Sequence, residues 1–355
     1  MRINSLFLSL TNKCNLSCSY CSADAGPDGK ERMSLDHAMS TVEAWLSQTT
    51  DKELLLAFTG GEPTLWGYND LDTLCAFSRV QARLHKRELK IGIQTNGTAI
   101  CDKFLSWCKR WNIEPSVSLD GFDDTNDINR GMQDKVLGGL RLMKNAGINF
   151  GVITCLSRPV ARQLDDILDW YRKEGFLKVR INILGNAPGT RYIDELTSEE
   201  ILSAKIKIYQ HMEAHGAEGV KEKNVIDQLI SYRSMQTKEP YVKDHCHKSQ
   251  CGAGREMSAI NPDGTACLCI EKSMTDGLPR VEKIEALELE ADRFWKDIKE
   301  WSHCAECEAA VICDHGCIAY HRNDYSAFRE ECKSNKGFYN YLKNKEVSQL
   351  ITQVS

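Results

Sequence analysis

Cys14, Cys18 and Cys21 fall in one run, Leu10-Thr11-Asn12-Lys13-Cys14-Asn15-Leu16-Ser17-Cys18-Ser19-Tyr20-Cys21. The C-x3-C-x2-C spacing packs three thiolates into a short loop. Three soft ligands suit a cubane iron–sulfur cluster better than a structural metal, because one iron is left without a protein ligand. An iron with an open position can bind a cofactor or substrate and react with it. A closed four-thiolate site serves structure or electron relay instead. The plain alternatives are a zinc knuckle or three core cysteines. Zinc usually takes a fourth Cys or His nearby, and the next cysteine is Cys75.

A second set of cysteines lies far along the chain. Cys304-x2-Cys307-x5-Cys313-x3-Cys317 resembles ferredoxin ligand runs, in which the fourth Cys can serve a different cluster. Upstream, Cys251-x12-Gly264-x4-Cys269 encloses Asn261-Pro262-Asp263-Gly264, a hairpin-type turn that brings Cys251 and Cys269 together. Cys332 follows Cys317 after 14 residues. Zinc pairs are the plain reading here too, with His245, His247, His303 and His315 available to join them.

Sixteen cysteines in 355 residues, without an export signal, point to metal sites in a reducing, cytoplasmic compartment rather than to disulfides. Cys75, Cys101, Cys108 and Cys155 are scattered and read as small buried hydrophobes. The net charge of −5 and the lack of a dense Lys/Arg block exclude a broad nucleic-acid footprint. No segment has the length and apolarity of a membrane-spanning helix.

The elements that must position these cysteines alternate. Expected strands are 5–10, 54–59, 90–94, 116–119, 149–154 and 179–184. Expected helices are 35–47, 71–84, 103–111, 136–145 and 164–173. Strands and helices alternating at this spacing imply right-handed βαβ units, a parallel sheet and an α/β fold. Six units are too few to close an eight-stranded barrel, so a curled, partial (β/α)6 barrel is expected. Four loops at strand carboxyl ends carry the unusual residues. They are the cysteine loop, Gly60-Gly61-Glu62-Pro63, Gln94-Thr95-Asn96-Gly97 and Ser118-Leu119-Asp120-Gly121. The organisation expected is a barrel over 1–195, a helical bridge over 196–244 (helices 199–215 and 225–232), a cysteine-rich module over 245–335 and a polar C-terminal helix over 336–350 within 336–355.

The first loop, with aromatic Tyr20 before the third Cys, resembles the radical S-adenosylmethionine (SAM) enzymes. The seven cysteines Cys251, Cys269, Cys304, Cys307, Cys313, Cys317 and Cys332 resemble the SPASM module found in some of them. The resemblance implies SAM as cofactor and three [4Fe–4S] clusters. Cys14, Cys18 and Cys21 would hold the SAM-binding cluster. Cys304, Cys307, Cys313 and Cys332 would hold a distal auxiliary cluster, and Cys251, Cys269 and Cys317 a nearer one. Cys246 is the choice for a fourth near ligand, Cys267 the second choice, and an open iron the third. The same resemblance implies SAM contacts from Tyr20, Gly60, Gly61, Glu62 (accepting from the methionine ammonium), Gln94, Asn96, Ser118, Leu184 and Arg130, the last as a fork on the SAM carboxylate. Asp120 would lie close to substrate.

Enzymes of this build cleave SAM reductively and use the 5′-deoxyadenosyl radical to take a hydrogen atom from an unactivated carbon. Most modify peptides. The expectation is therefore a ribosomal-peptide maturase forming C–C or thioether crosslinks. Its electrons would come from a flavodoxin or ferredoxin-type donor, and leader recognition from the barrel or a separate protein. A formylglycine-forming sulfatase maturase is second, and a small-molecule dehydrogenase third. Sulfatase maturases carry an aspartate where this chain has Ile270, followed by Glu271. A non-enzymatic metal-binding protein is the reading from a different class.

Overall fold

The computed structural model describes residues 2–184, 194–238, 251–270, 280–301, 303–313, 316–317 and 325–354. Strands β1 (Ser5–Thr11), β2 (Glu53–Gly60), β3 (Glu88–Thr95), β4 (Glu114–Ser118), β5 (Gly151–Leu156) and β6 (Lys178–Ile183) pair in parallel and in chain order. Between them run α1 (Leu35–Gln48), α2 (Tyr68–Leu84), α3 (Asp102–Trp111), α4 (Asp124–Asn129), α5 (Gln133–Asn145), α6 (Arg158–Arg162) and α7 (Leu164–Glu174). The α/β class and the six βα units match the sequence reading, with boundaries displaced by at most three residues.

Four strands extend the sheet beyond the six expected. On one side the two-residue β7 (Lys221–Glu222) joins β6 in parallel. On the other, β8 (Met257–Ile260) pairs in parallel with β1, and β9 (Ala266–Cys267) and β10 (Arg280–Val281) follow antiparallel. The order is β10-β9-β8-β1-β2-β3-β4-β5-β6-β7 in one ten-stranded sheet. The cysteine-rich segment is therefore not built apart from the barrel, because its hairpin continues the barrel's own sheet. Both Asn4 and Ser5 donate backbone N–H groups to the Glu256 carbonyl, at 2.8 and 2.9 Å, which locks the junction.

Period-two alternation sorts each strand's side chains onto two faces. In β3, Leu89, Ile91, Ile93 and Thr95 are buried towards the helices, whereas Lys90 and Gln94 are exposed. In β5, Val152, Thr154 and Leu156 are buried, and Ile153 and Cys155 lie on the half-open face. The helical face is mostly apolar, with Leu56, Phe58, Phe104, Leu140, Leu168 and Tyr171 at 1% exposure or less. Each such side chain contributes about 1.5–3 kcal/mol relative to exposure. The other face is left free to line a site.

The bridge is two helices, α8 (Ser198–His215) and α9 (Lys223–Thr237). A capping box fixes the start of α8: Thr197 Oγ1 accepts from the Glu200 amide, and the Glu200 carboxylate accepts from the Thr197 amide. The C-terminal helix expected over 336–350 is instead two helices, Tyr325–Leu342 and Val347–Val354. The polar run Lys343-Asn344-Lys345-Glu346 offers no apolar side chain to continue the packed face. The last helix then restarts as a core element, burying Val347, Leu350, Ile351 and Val354.

Helix α8 also packs on α7, and there Asp169, His211 and His215 converge. His211 Nε2 accepts the Val220 amide at 3.3 Å, so the neutral ring carries its proton on Nδ1, 3.8 Å from Asp169 Oδ1. The trio thus links two helices. Burial, reinforced by His215 and Arg172 and opposed by Asp169 and Asp165, pushes the His211 pKa down from 6.5 to about 4. Between those pH values the unfolded chain binds a proton that the folded chain refuses, so stability falls as pH drops through this window. The contribution reaches up to about 3 kcal/mol. Denaturant unfolding of His211→Gln at pH 7.5 and 4.5 is expected to show a smaller acid loss than the parent protein. An unchanged pH slope would contradict this role.

Candidate active site

Residues 12–29 turn back so that the cysteine loop sits at the carboxyl end of β1. The Cys14 amide donates to Gly26 O at 2.9 Å, and the Ser19 amide to Asn129 O, at the end of α4, at 3.0 Å. Cys14 is 7% exposed, while Cys18 and Cys21 are half-buried. N–H groups surround the sulfurs. Leu16 N donates to Cys14 Sγ at 3.4 Å, Ala25 N to Cys21 Sγ at 3.4 Å, and Asn96 Nδ2 to Cys14 Sγ at 3.6 Å. Burial pushes the Cys14 thiol up and Cys18 to about 11, with nearby Arg130 pulling Cys18 the other way. A loop that donates hydrogen bonds to sulfur yet penalises a bare thiolate suits an added cationic group.

No three of the sulfurs in either cysteine set lie mutually within 4.8 Å among the described residues. A tetrahedral zinc with Zn–S near 2.3 Å holds its sulfurs about 3.8 Å apart. His37, the histidine between Cys21 and Cys75, lies on α1, its ring against the turn at Gly264.

The loop after β2 is pressed onto the cysteine loop. Gly61 N donates to Thr11 O at 2.7 Å and Glu62 N to Lys13 O at 2.9 Å. A Cβ on Gly61 would lie 2.3 Å from the Lys13 carbonyl oxygen, and one on Gly60 (φ +121°) 2.4 Å from that of Thr11. The two glycines are therefore demanded by the close approach of two backbones.

Glu62 differs from its expected role. Its carboxylate is fully buried, and burial raises its pKa against the hydrogen bonds that favour the charge. One oxygen accepts from Thr64 N (3.1 Å), Thr64 Oγ1 (2.7 Å) and Thr95 Oγ1 (2.9 Å). The other accepts from Asn96 N (2.8 Å) and Thr95 Oγ1 (3.0 Å). The acceptor sites expected to meet an ammonium are spent on the chain itself. Glu62 joins the loops after β2 and β3, and so delivers Asn96 to Cys14. Asn96 Nδ2 also donates to Asn15 Oδ1 at 2.8 Å, and Asn15 Nδ2 to Thr98 Oγ1 at 2.7 Å.

Asp120 and Arg130 also depart from expectation. Asp120 is fully buried and faces protein on both oxygens. Oδ1 accepts from Cys155 N at 2.8 Å, and Oδ2 pairs with Arg130 Nε at 3.1 Å and accepts from the Tyr20 hydroxyl. Arg130, 10% exposed, stacks 5.1 Å from the Tyr20 ring centroid, and its Nη2 reaches Cys155 Sγ at 3.4 Å. Burial would release the Arg130 proton, and Asp120 more than offsets it. This pair is a buried brace between the cysteine loop and β4–β5. Both Asp120 oxygens and the Nε–Nη2 edge of Arg130 meet protein groups in this arrangement.

Gln94 stands exposed on the half-open face of β3 and is paired with Ser116 of β4. Ser118 closes β4, buried, beside Ile153, which in turn pairs with Arg180. Leu184 lies half-buried just past β6. Cys75 and Cys108 are core residues as expected, but Cys101 is exposed before α3 and Cys155 belongs to the half-open face. Strand alternation in Gly151–Leu156 is the signal that marks Cys155.

In the second set, Cys304, Cys307, Cys313 and Cys332 line one cavity of about 290 Å³, solvent opening included, with Asn335 and Lys336 beside them. Cys251 and Cys269 pack on the cluster of Ala253, Leu268, Phe294 and Trp295, brought together by the β8–β9 hairpin. Cys317 N donates to Glu331 Oε2 at 3.3 Å. Cys267 is fully buried in β9, its sulfur turned to the carbonyls of Ala259 and Cys269, which fits packing rather than ligation. Cys246, His245, His247, His315 and Glu271 lie outside the described residues, as does the His303 side chain.

Residues 8–171 match the family model of the Radical SAM superfamily. That stretch reads as a radical SAM domain. Over 178 residues it is 25% identical to the "Cysteine-type anaerobic sulfatase-maturating enzyme" of Clostridium novyi (strain NT), covering 47% of each chain. Over 341 residues it is 21% identical to the "Radical SAM cyclopropyl synthase TigE" of Paramaledivibacter caminithermalis, covering 89% of this chain and 68% of TigE. The chain spans about half the length of several curated relatives it matches, such as the Clostridium novyi protein. The solved structure "Native anSMEcpe with bound AdoMet and Cp18Cys peptide" aligns at TM-score 0.78 and 19% identity, over 99% of this chain and 98% of the other. Streptococcus suis SuiB aligns at TM-score 0.63 and 15% identity, over 89% and 73%. These two likenesses establish the fold. No helix among the described residues is long and apolar enough to cross a membrane.

The contact of the two glycines with the cysteine loop is testable. Gly61→Ala is expected to cost at least about 2 kcal/mol in denaturant unfolding, since backbone rather than a flexible side chain blocks the added methyl. A cost within about 0.5 kcal/mol would contradict the close approach.

Proposed function

We propose that this chain is a radical SAM oxidoreductase that takes a hydrogen atom from a peptide side chain, with two auxiliary clusters in its C-terminal part. The observation that carries the reading is the convergence of Cys304, Cys307, Cys313 and Cys332 on one cavity, together with the N–H-lined loop of Cys14, Cys18 and Cys21. When bound, a [4Fe–4S] cluster on that loop supplies the electron that cleaves SAM to methionine and a 5′-deoxyadenosyl radical. Cys251, Cys269 and Cys317 are proposed for the nearer auxiliary cluster, with its fourth position left to Cys246 or to substrate.

The chain's own residues bind, orient and exclude water. Glu62 holds Asn96 against Cys14, and the backbone carbonyls of the Gly60–Gly61 turn are proposed to accept from the methionine ammonium. Gln94, Ser118 and Leu184 are proposed to line the SAM and substrate side of the half-open face. Tyr20, Asp120 and Arg130 fix the rim from beneath, so they act as positioning residues. A radical enzyme needs its reactants held still and dry, and these buried braces provide both.

Crosslinking of a ribosomally made peptide is the first reading of the chemistry, and TigE, matched over 89% of this chain and by its name a cyclopropyl synthase, supports the C–C bond-forming part of it. Formylglycine formation is the second, supported by the 25% identity to the Clostridium novyi sulfatase-maturating enzyme over 178 residues. Ile270 weighs against it. Anaerobically isolated protein is expected to hold about twelve irons and twelve sulfides, and about eight of each after Cys14→Ala/Cys18→Ala/Cys21→Ala. Only the parent protein should release 5′-deoxyadenosine with SAM and reductant. Zinc alone, or release by the triple variant, would overturn the proposal. Candidate peptides should lose two hydrogens without forming an aldehyde, as read by mass spectrometry with hydrazide capture. A captured aldehyde would favour the second reading.

A further inference from the structure

One buried polar chain connects the bridge helices to the second cysteine set. Lys205 of α8, 8% exposed, donates from Nζ to Asn335 Oδ1, and its Nζ lies 6.0 Å from the Phe338 ring centroid. Gln228 of α9 donates from Nε2 to the same Asn335 oxygen at 3.1 Å, and to Ile312 O at 3.1 Å. Two donors on Oδ1 settle which way the Asn335 amide points, because its oxygen is the acceptor. The other end, Nδ2, therefore faces Cys313 Sγ, 3.1 Å away. Asn335 is 3% exposed and lines the four-cysteine cavity. The charged groups facing this chain are Glu331, whose Oε2 accepts from Cys317 N, Glu222 at the base of α9, and Lys336 at the cavity wall.

A lysine this deep is costly to bury, and packing alone does not call for it. Its geometry does have a redox consequence. An N–H donated to a ligating sulfur withdraws electron density, and a nearby ammonium favours the added electron, so both raise a cluster's reduction potential.

We propose that Asn335 is a positioning residue which, held by Lys205 and Gln228, raises the reduction potential of the cluster at Cys304, Cys307, Cys313 and Cys332 through its hydrogen bond to Cys313. This rests on the three-cluster reading above. The full chain carrying Cys14→Ala/Cys18→Ala/Cys21→Ala leaves only the auxiliary signals, followed by EPR during a potentiometric titration after iron and sulfide are counted. In that background Asn335→Asp keeps the oxygen that Lys205 and Gln228 need but trades the N–H for a carboxylate charge, so the uncharged Asn335→Leu, which also lacks the N–H, is titrated beside it and must show the same fall.

One of the two midpoints is expected to fall by enough to change the oxidised-to-reduced ratio about tenfold at fixed potential, 59 mV for a one-electron couple. The other midpoint should stay. Lys205→Gln, which keeps a donor but removes the charge, should shift the same midpoint the same way by less. Full iron content with both midpoints unmoved in Asn335→Asp overturns the proposal. If Asn335→Asp loses iron, the Lys205→Gln midpoint decides, a fall supporting the proposal and no shift overturning it. Absence of auxiliary iron already in the background protein overturns the three-cluster reading itself, and this inference with it.

Discussion

The buried carboxylate of Glu62 is the constraint on which the candidate site depends. It accepts hydrogen bonds from Thr64, Thr95 and the Asn96 amide, and its own amide donates to Lys13. Three loops from three strands are thereby held in one register at the rim. A buried carboxylate without these donors would be strongly unfavourable, so the loops and the charge stabilise one another. The glycines at 60 and 61 are the steric condition for that arrangement, since any side chain would separate the loop from Thr11 and Lys13. Asn96 is the output of the hub, carrying an N–H to the Cys14 sulfur.

The opposite edge of the loop is set by a different kind of interaction. Tyr20, Asp120 and Arg130 form a buried charged brace that reaches into β5 through Cys155. The second cysteine set is tied in two ways. Strand β8 joins β1 and so fixes the Cys251–Cys269 hairpin to the strand that leads into the first loop. The Lys205–Asn335 chain connects the four-cysteine cavity to α8 and α9. Both ties use buried backbone or buried charge, so they resist small displacements that surface ion pairs would permit.

Much of this was legible in the sequence because it is local. Alternating patterns placed six strands and their helices, and the resemblance to the SPASM module, rather than spacing alone, grouped the four cysteines that share one cavity. What escaped was non-local. Nothing in Gly60-Gly61-Glu62-Pro63 says that Thr95 and Asn96 will saturate the carboxylate, so Glu62 read as a ligand contact rather than a joint. Asp120 and Arg130 read as rim residues for the same reason, since their partners Tyr20 and Cys155 are far off in sequence. Met257–Ile260 is too short to announce that it continues the barrel sheet. Val347–Val354 reads as part of a polar helix because its apolar face has meaning only against α8 and α9, far off in sequence.

The central claim is that Cys14, Cys18 and Cys21 hold a cluster with one iron open to SAM. Its most direct test is the EPR spectrum of the anaerobically reduced protein with and without SAM. The predicted result is a SAM-dependent change in the parent spectrum that is missing from Cys14→Ala/Cys18→Ala/Cys21→Ala. A parent spectrum indifferent to SAM, or a SAM response that survives loss of the three thiols, would contradict the account.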